Sequence, residues 1–241
     1  MAYRRLGRFN KKAPTQVKSP YMVFSCHDGE FPLMNPPHVY EFYKRPDETF
    51  VQIAAIDIGV KNTSIAMERR WSSGQVDVVM LLKIDFTIGD RPITDTIYYT
   101  NSIEILRKYL PYFEMCQYIL VESQLPINYD AVRMSQHILT FLMMNLANKG
   151  CKPMICEIDT YFKSRIFNAP KKMKKPELKK WCIQYAFDLL EKRGDKATLE
   201  MIKSSGKKDD LCDTLCYCEG WFIALQEGIQ PIKLPSAAKT K

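Results

Sequence analysis

Nowhere in this 241-residue chain does an apolar run approach the roughly 18 residues a membrane-spanning helix needs, so no membrane partner is expected. Histidine is scarce, with three in all, and the two others lie far upstream of His137 and offer it no obvious triad. The eight cysteines include Cys212, Cys216 and Cys218, which have no second CxxC unit at zinc-ribbon spacing. No secretory signal precedes them. They are therefore expected to be reduced and to behave as small hydrophobes in an intracellular setting. Acid is missing from residues 1–20, where Arg4, Arg5, Arg8, Lys11, Lys12 and Lys18 make a basic arm expected to be disordered. No internal repeat is visible.

What is present is a clustered positive charge. Lysine and arginine total 35 against 27 acids, a net charge of +8, and a concentrated excess points to a polyanion such as nucleic acid. The densest cluster lies between Lys163 and Lys180, with one acid, Glu177, among Lys163, Arg165, Lys171, Lys172, Lys174, Lys175, Lys179 and Lys180. Length fits one domain of substantial core, expected over residues 51–228. Residues 21–50, aromatic and proline-bearing, are expected to pack on it, and 229–241 to form a flexible basic tail.

The stretch Val51 to Met67 organises the domain. Val51, Ile53, Ala54, Ala55 and Ile56 read as a strand buried on both faces, and Asp57 ends it. A carboxylate there is costly unless something such as a cation compensates it. Gly59 permits a turn, and Thr63 onward resumes as a strand. Gln75–Phe86 reads as a third strand of an antiparallel meander. A helix is predicted from Ile93 to Leu110, stopped by Pro111, and then a strand from Cys116 to Val121 that runs into Glu122. A helix from about Asn128 to Asn148, a strand over Lys152–Ile158, a helix from Pro176 to Glu191 and a last helix from about Asp209 to Gln226 complete the pattern. The segment between those last helices, RGDKATLEMIKSSGKK, reads as a polar hairpin or loop. Meander first, then helix and strand in alternation, predicts an α/β fold with a mixed five-stranded sheet and helices on both faces.

Asp57 and Glu122 each end a buried strand, and Asp210 and Asp213, three apart, share one face of a helix. Helix-dipole stabilisation alone accounts for Asp209. Clustered carboxylates repel one another and call for a divalent ion, and an oxygen-only set suits Mg²⁺ or Mn²⁺. Two such ions per site would activate a water and stabilise a leaving oxygen in phosphodiester hydrolysis. A lysine could neutralise transition-state charge, with Lys163 and Lys175 as the candidates.

IDIGVKNTS, LVESQ with Arg133 soon after, and KKDDLCDTL resemble the three acidic motifs of RuvC-like Holliday junction resolvases, most closely the poxvirus-type and mitochondrial branches. The resemblance covers roughly residues 51 to 226. It implies an RNase H-like fold, a homodimer and Mg²⁺-dependent paired incision of four-way DNA junctions, in a viral or organellar setting. It assigns Asp57, Glu122, Asp210 and Asp213 to metal binding. Lys61, Asn62, Gln124, Arg133, Lys171, Lys172, Lys174, Lys179, Lys207 and Lys208 are then the candidates for holding DNA. Other readings remain open. An RNase H-like enzyme acting on RNA–DNA hybrids, flaps or other branched substrates would use identical chemistry, and a non-catalytic DNA-binding protein could keep the fold. The Asp-x-Gly-x-x-Asn at position 57 also resembles the first phosphate loop of actin-like ATPases, but the ten glycines supply no second phosphate loop.

Overall fold

The structure is a computed structural model and describes residues 49–59, 61–88, 96–147 and 153–229. The expected basic arm, nearly all of the 21–50 extension and the tail after Ile229 lie outside the described residues. The elements run β1 (Phe50–Asp57), β2 (Thr63–Trp71), β3 (Val76–Ile84), α1 (Thr96–Glu114), β4 (Tyr118–Glu122), α2 (Tyr129–Ala147), β5 (Met154–Ile158), α3 (Phe162–Ile166), α4 (Lys175–Arg193), α5 (Lys196–Ser204) and α6 (Lys208–Glu227).

The sheet has five strands in the order β3-β2-β1-β4-β5. β1 pairs antiparallel with β2, and β2 with β3, while β1–β4 and β4–β5 are parallel. The α/β class and mixed sheet expected from the sequence are those observed. Period-two alternation divides the buried side chains between two layers. Ala54, Ile56, Ile119 and Val121 face a core shared with Leu106, Phe113, Met134, Ile138 and Leu142 of α1 and α2. Ile53, Ala55, Ala66, Leu81 and Leu120 face the opposite core, with Ala186, Leu190, Leu215 and Trp221 of α4 and α6. Central strand β1 is apolar on both sides for that reason.

Two expectations are corrected. Pro111 does not end α1; it lies inside a helix that runs to Glu114. The ring removes one backbone donor, but the turn beyond it buries Tyr112 and Phe113, the latter completely. Such burial is worth about 1.5–3 kcal/mol per large side chain, which offsets much of the lost bond. The segment read as a polar hairpin or loop contains helix α5. Asp195 caps it, its carboxylate accepting from the Thr198 backbone N–H at 3.0 Å. Leu199 and Ile202 then pack beneath, along a face hidden in the sequence by surrounding lysines.

The α4–α6 layer also buries charge. Glu68 is fully inaccessible and accepts from Arg70 (2.6 Å) and Arg193 (2.7 Å). Both arginines also reach Glu219. Although burial works to raise it, the two guanidiniums pull the Glu68 carboxyl below its ordinary range. This quartet ties β2 to α4 and α6.

Candidate active site

The parallel register brings two strand ends together. Ile56 and Val121 are partners across β1 and β4, so Asp57 and Glu122 are the next residues of each strand. Both fall on the α6 side, in phase with Ala55 and Leu120. Their carboxyl groups share a hydrogen bond, and Asp57 retains only a partial opening to solvent. Burial first, then the charges of Glu122 and Asp213, push the Asp57 carboxyl well above its usual value, with Lys163 pulling the other way. Beyond Asp57 the chain turns through Gly59, where a Cβ would meet the Asn62 carbonyl at 2.9 Å. Thr63 Oγ1 closes the turn on the Gly59 carbonyl at 2.7 Å.

Helix α6 is seated across the same end of the sheet. Ser64, the partner of both Asp57 and Lys83 in the sheet, donates its Oγ to the Asp210 carbonyl at 2.8 Å. One turn along, Asp213 Oδ1 takes the Lys163 ammonium at 2.7 Å and the Cys182 thiol at 2.9 Å. Lys163 comes from α3, is mostly buried, and lies 4.1 Å from the centre of the Tyr217 ring. Against the cost of burial, Asp213 and Glu122 raise its pKa, so it stays charged. Cys182 is hydrogen-bonded to Cys216 and buried, which pushes its thiol up and keeps its proton in place for Asp213. Tyr217 is likewise raised by burial and by Glu122 and Asp57; its hydroxyl has no well-formed hydrogen bond despite that proximity.

Asp57, Glu122, Asp213 and Lys163 are thus brought together. Asp210 is set one turn back on α6, over Ser64, with a buried Oδ2 that has no hydrogen-bond partner. Burial and Asp209 raise its carboxyl, and Lys207, Lys83 and Lys179 oppose them. Asp209 points outward to Lys179, Oδ2 to Nζ 2.5 Å. Lys175, the other candidate lysine, is exposed at the first position of α4. Among the described residues, no three acid, histidine or cysteine side chains are gathered closely enough to enclose an ion as they stand. The arrangement accounts for this: Asp213 is turned to an ammonium and a thiol, and Asp57 lies against Glu122.

The polar rim is spread over several elements. Lys61 and Asn62 occupy the β1–β2 turn, and the Asn62 amide, oriented to satisfy both ends, accepts from Lys207 Nζ at 2.7 Å. Gln124 donates to the Glu122 carbonyl at 3.3 Å. Arg133 on α2 lies over the rings of Tyr99 (5.2 Å) and Tyr129 (5.6 Å). Lys171, Lys172 and Lys174 are exposed between α3 and α4, and Lys174 donates its backbone N–H to Glu177 at 2.8 Å. Lys179 is the partner of Asp209, and Lys208 opens α6.

No family model matches this sequence. It is 29% identical over 118 residues to the uncharacterized protein 97L of Invertebrate iridescent virus 3, covering 49% of this chain and 54% of that protein. The match therefore spans about half the length of this viral relative. Among solved structures, the yeast mitochondrial Holliday junction resolvase Ydc2 is similar with a TM-score of 0.52 and 14% identity, covering 75% of this chain and 82% of that one. RuvC of Thermus thermophilus is similar with a TM-score of 0.51 and 12% identity, covering 74% and 98%. The chain has the RuvC-like, RNase H-like fold.

Several residues of this candidate site were missed by sequence reasoning. Lys83 carried a usable signal: like Asp57 and Glu122, it is a charge near the end of an apolar strand, and it is 4% exposed. Ser64, Cys182 and Tyr217 carried none, because their roles depend on how α4 and α6 pack on the sheet.

Proposed function

We propose that the chain is a metal-dependent endonuclease that cuts branched DNA, with four-way junctions as its substrate. The observation that carries this reading is the partly buried group of Asp57, Glu122 and Asp213 beside a charged Lys163, where α3 and α6 meet the ends of β1 and β4 in a RuvC-like fold.

The donor set fits a hard divalent cation such as Mg²⁺ or Mn²⁺: the carboxylates of Asp57, Glu122 and Asp213 offer oxygen only, and Asp210 adds the buried Oδ2 that lacks a partner. A pair of such ions, when bound, supplies an activated water and stabilises the leaving oxygen of a phosphodiester. The chain does the rest. Asp57 and Glu122, side by side at the ends of β1 and β4, would each offer carboxylate oxygens to such an ion. Lys163, beside Asp213, would offer its ammonium to the charge gathering on the phosphate in the transition state. Lys61, Lys207, Lys171, Lys172 and Lys179 would hold the backbone by charge, with Asn62 adding a polar contact. A four-way junction is two-fold symmetric, so paired incision calls for a homodimer. The relative from Invertebrate iridescent virus 3 supports a viral setting.

A nicking assay of the full chain on four-way junctions, RNA–DNA hybrids and linear duplex, with Mg²⁺ or EDTA, tests the reading. Junction-selective cutting that EDTA stops is expected. Cutting that survives EDTA, or failure to cut any junction in Mg²⁺, would overturn it.

A further inference from the structure

We infer that Cys182 is a positioning residue for Asp213, its thiol fixing the carboxylate that the proposed ion uses; the inference rests on that reading of the site. Asp213 sits on α6 and Cys182 on α4, and the 2.9 Å contact from Sγ to Oδ1 is made across the packing of the two helices. Lys163 Nζ meets the same oxygen at 2.7 Å. Oδ1 is therefore held by two groups, an ammonium on a long stem and a thiol packed between helices. Cys182 is 4% exposed, and its sulfur lies 3.6 Å from that of Cys216, which is fully buried.

The two holders do different work. Lys163 could leave Asp213 to face a phosphate, whereas the thiol contact is built into the buried α4–α6 packing. The thiol would thus keep Oδ1 anchored and leave Oδ2 available to the ion. Outer contacts of this type orient metal-binding carboxylates, and removing them typically lowers metal affinity tenfold or more, less for a weak thiol donor. We therefore expect a loss of about fivefold.

The test is Mn²⁺ binding to the full chain without DNA, followed by calorimetry, for wild type, Cys182→Ala, Cys182→Ser, Cys216→Ala and Asp213→Asn. Cys182→Ala should raise the Mn²⁺ Kd about fivefold. Cys182→Ser, which keeps a donor, should restore most of the affinity, and Cys216→Ala, which keeps the donor to Asp213 and removes only its neighbour, should lose clearly less than Cys182→Ala. Wild-type affinity in Cys182→Ala, beside a clear loss in Asp213→Asn, overturns the inference and leaves the nuclease reading intact. An equal loss in Cys216→Ala also overturns it, because packing around the thiols would then be the cause. If Asp213→Asn binds Mn²⁺ as wild type does, the inference falls together with the reading it rests on.

Discussion

Lys163 Nζ lies 2.7 Å from Asp213 Oδ1, and the same ammonium sits over the Tyr217 ring. The two side chains come from α3 and α6, so the pair links the loop side of the site to its helix. Their exposures, 10% and 23%, place the pair between the surface and buried regimes. Lys163→Met is expected to destabilise the metal-free protein by about 2–3 kcal/mol, since Asp213 is left without its cation. Mg²⁺ should recover part of that loss by taking its place. Thermal unfolding with and without Mg²⁺ measures both effects. Junction cutting by the variant should fall by about 100-fold or more. A variant that cuts at the wild-type rate would return the catalytic role to one of the exposed lysines.

The strand-end acids were legible because each interrupts an apolar run: AAID and ILVE leave Asp57 and Glu122 nowhere to go but the end of a buried strand. The spacing of Asp210 and Asp213 placed them on one helical face, as the structure has them. What the spacing did not reveal is that the two aspartates have different surroundings. Asp213 meets Lys163 and Cys182, and Asp210 sits over Ser64 with an unpaired oxygen. That difference comes from how α6 crosses the sheet, a tertiary fact with no local signature. The choice between Lys163 and Lys175 was illegible for the same reason. In the sequence both are lysines in one basic run; in the fold one is buried beside an acid and the other faces water.

The fully buried Glu68 carries a prediction about stability alone. Its carboxyl is held below the ordinary 4.5 by Arg193 and Arg70, despite burial. A carboxyl lowered by folding contributes stability that is present above its unfolded value and fades as pH falls through the lowered one. Glu68→Gln should cost about 3 kcal/mol at neutral pH, because two buried guanidiniums lose a charge partner. The cost should shrink in acid. Urea unfolding as a function of pH checks both statements, and a pH-independent cost would point to packing.

Binding should depend on salt through phosphate contacts. Log affinity for a junction is expected to fall linearly with log salt, by about 0.9 for each phosphate neutralised. Lys171 and Lys172 are exposed between α3 and α4. Replacing both with alanine should reduce the slope by about two without changing the fold. Fluorescence anisotropy across a salt series reads the slope, and an unchanged value would remove these lysines from the DNA-binding face.

Asp57 ties stability to function. Its carboxyl is raised well above 3.8, mainly by burial and then by Glu122 and Asp213. A carboxyl raised by folding holds its proton more tightly in the native state, so its contribution is complete below about 3.8 and is lost as pH climbs through the raised value. At neutral pH, without a cation, folding therefore works against the ionisation of Asp57, a cost that the unfolded chain does not bear. Asp57→Asn removes that charge and keeps the shape. The metal-free variant should melt higher than wild type at neutral pH, and the advantage should vanish near pH 4, where both side chains are neutral. The same substitution should abolish cutting and leave junction binding largely intact, because binding rests on lysines elsewhere. Mg²⁺ should raise the melting temperature of the wild type more than that of the variant. A variant that is less stable at neutral pH, or that still cuts, would mean that Asp57 is held by partners other than the acids beside it.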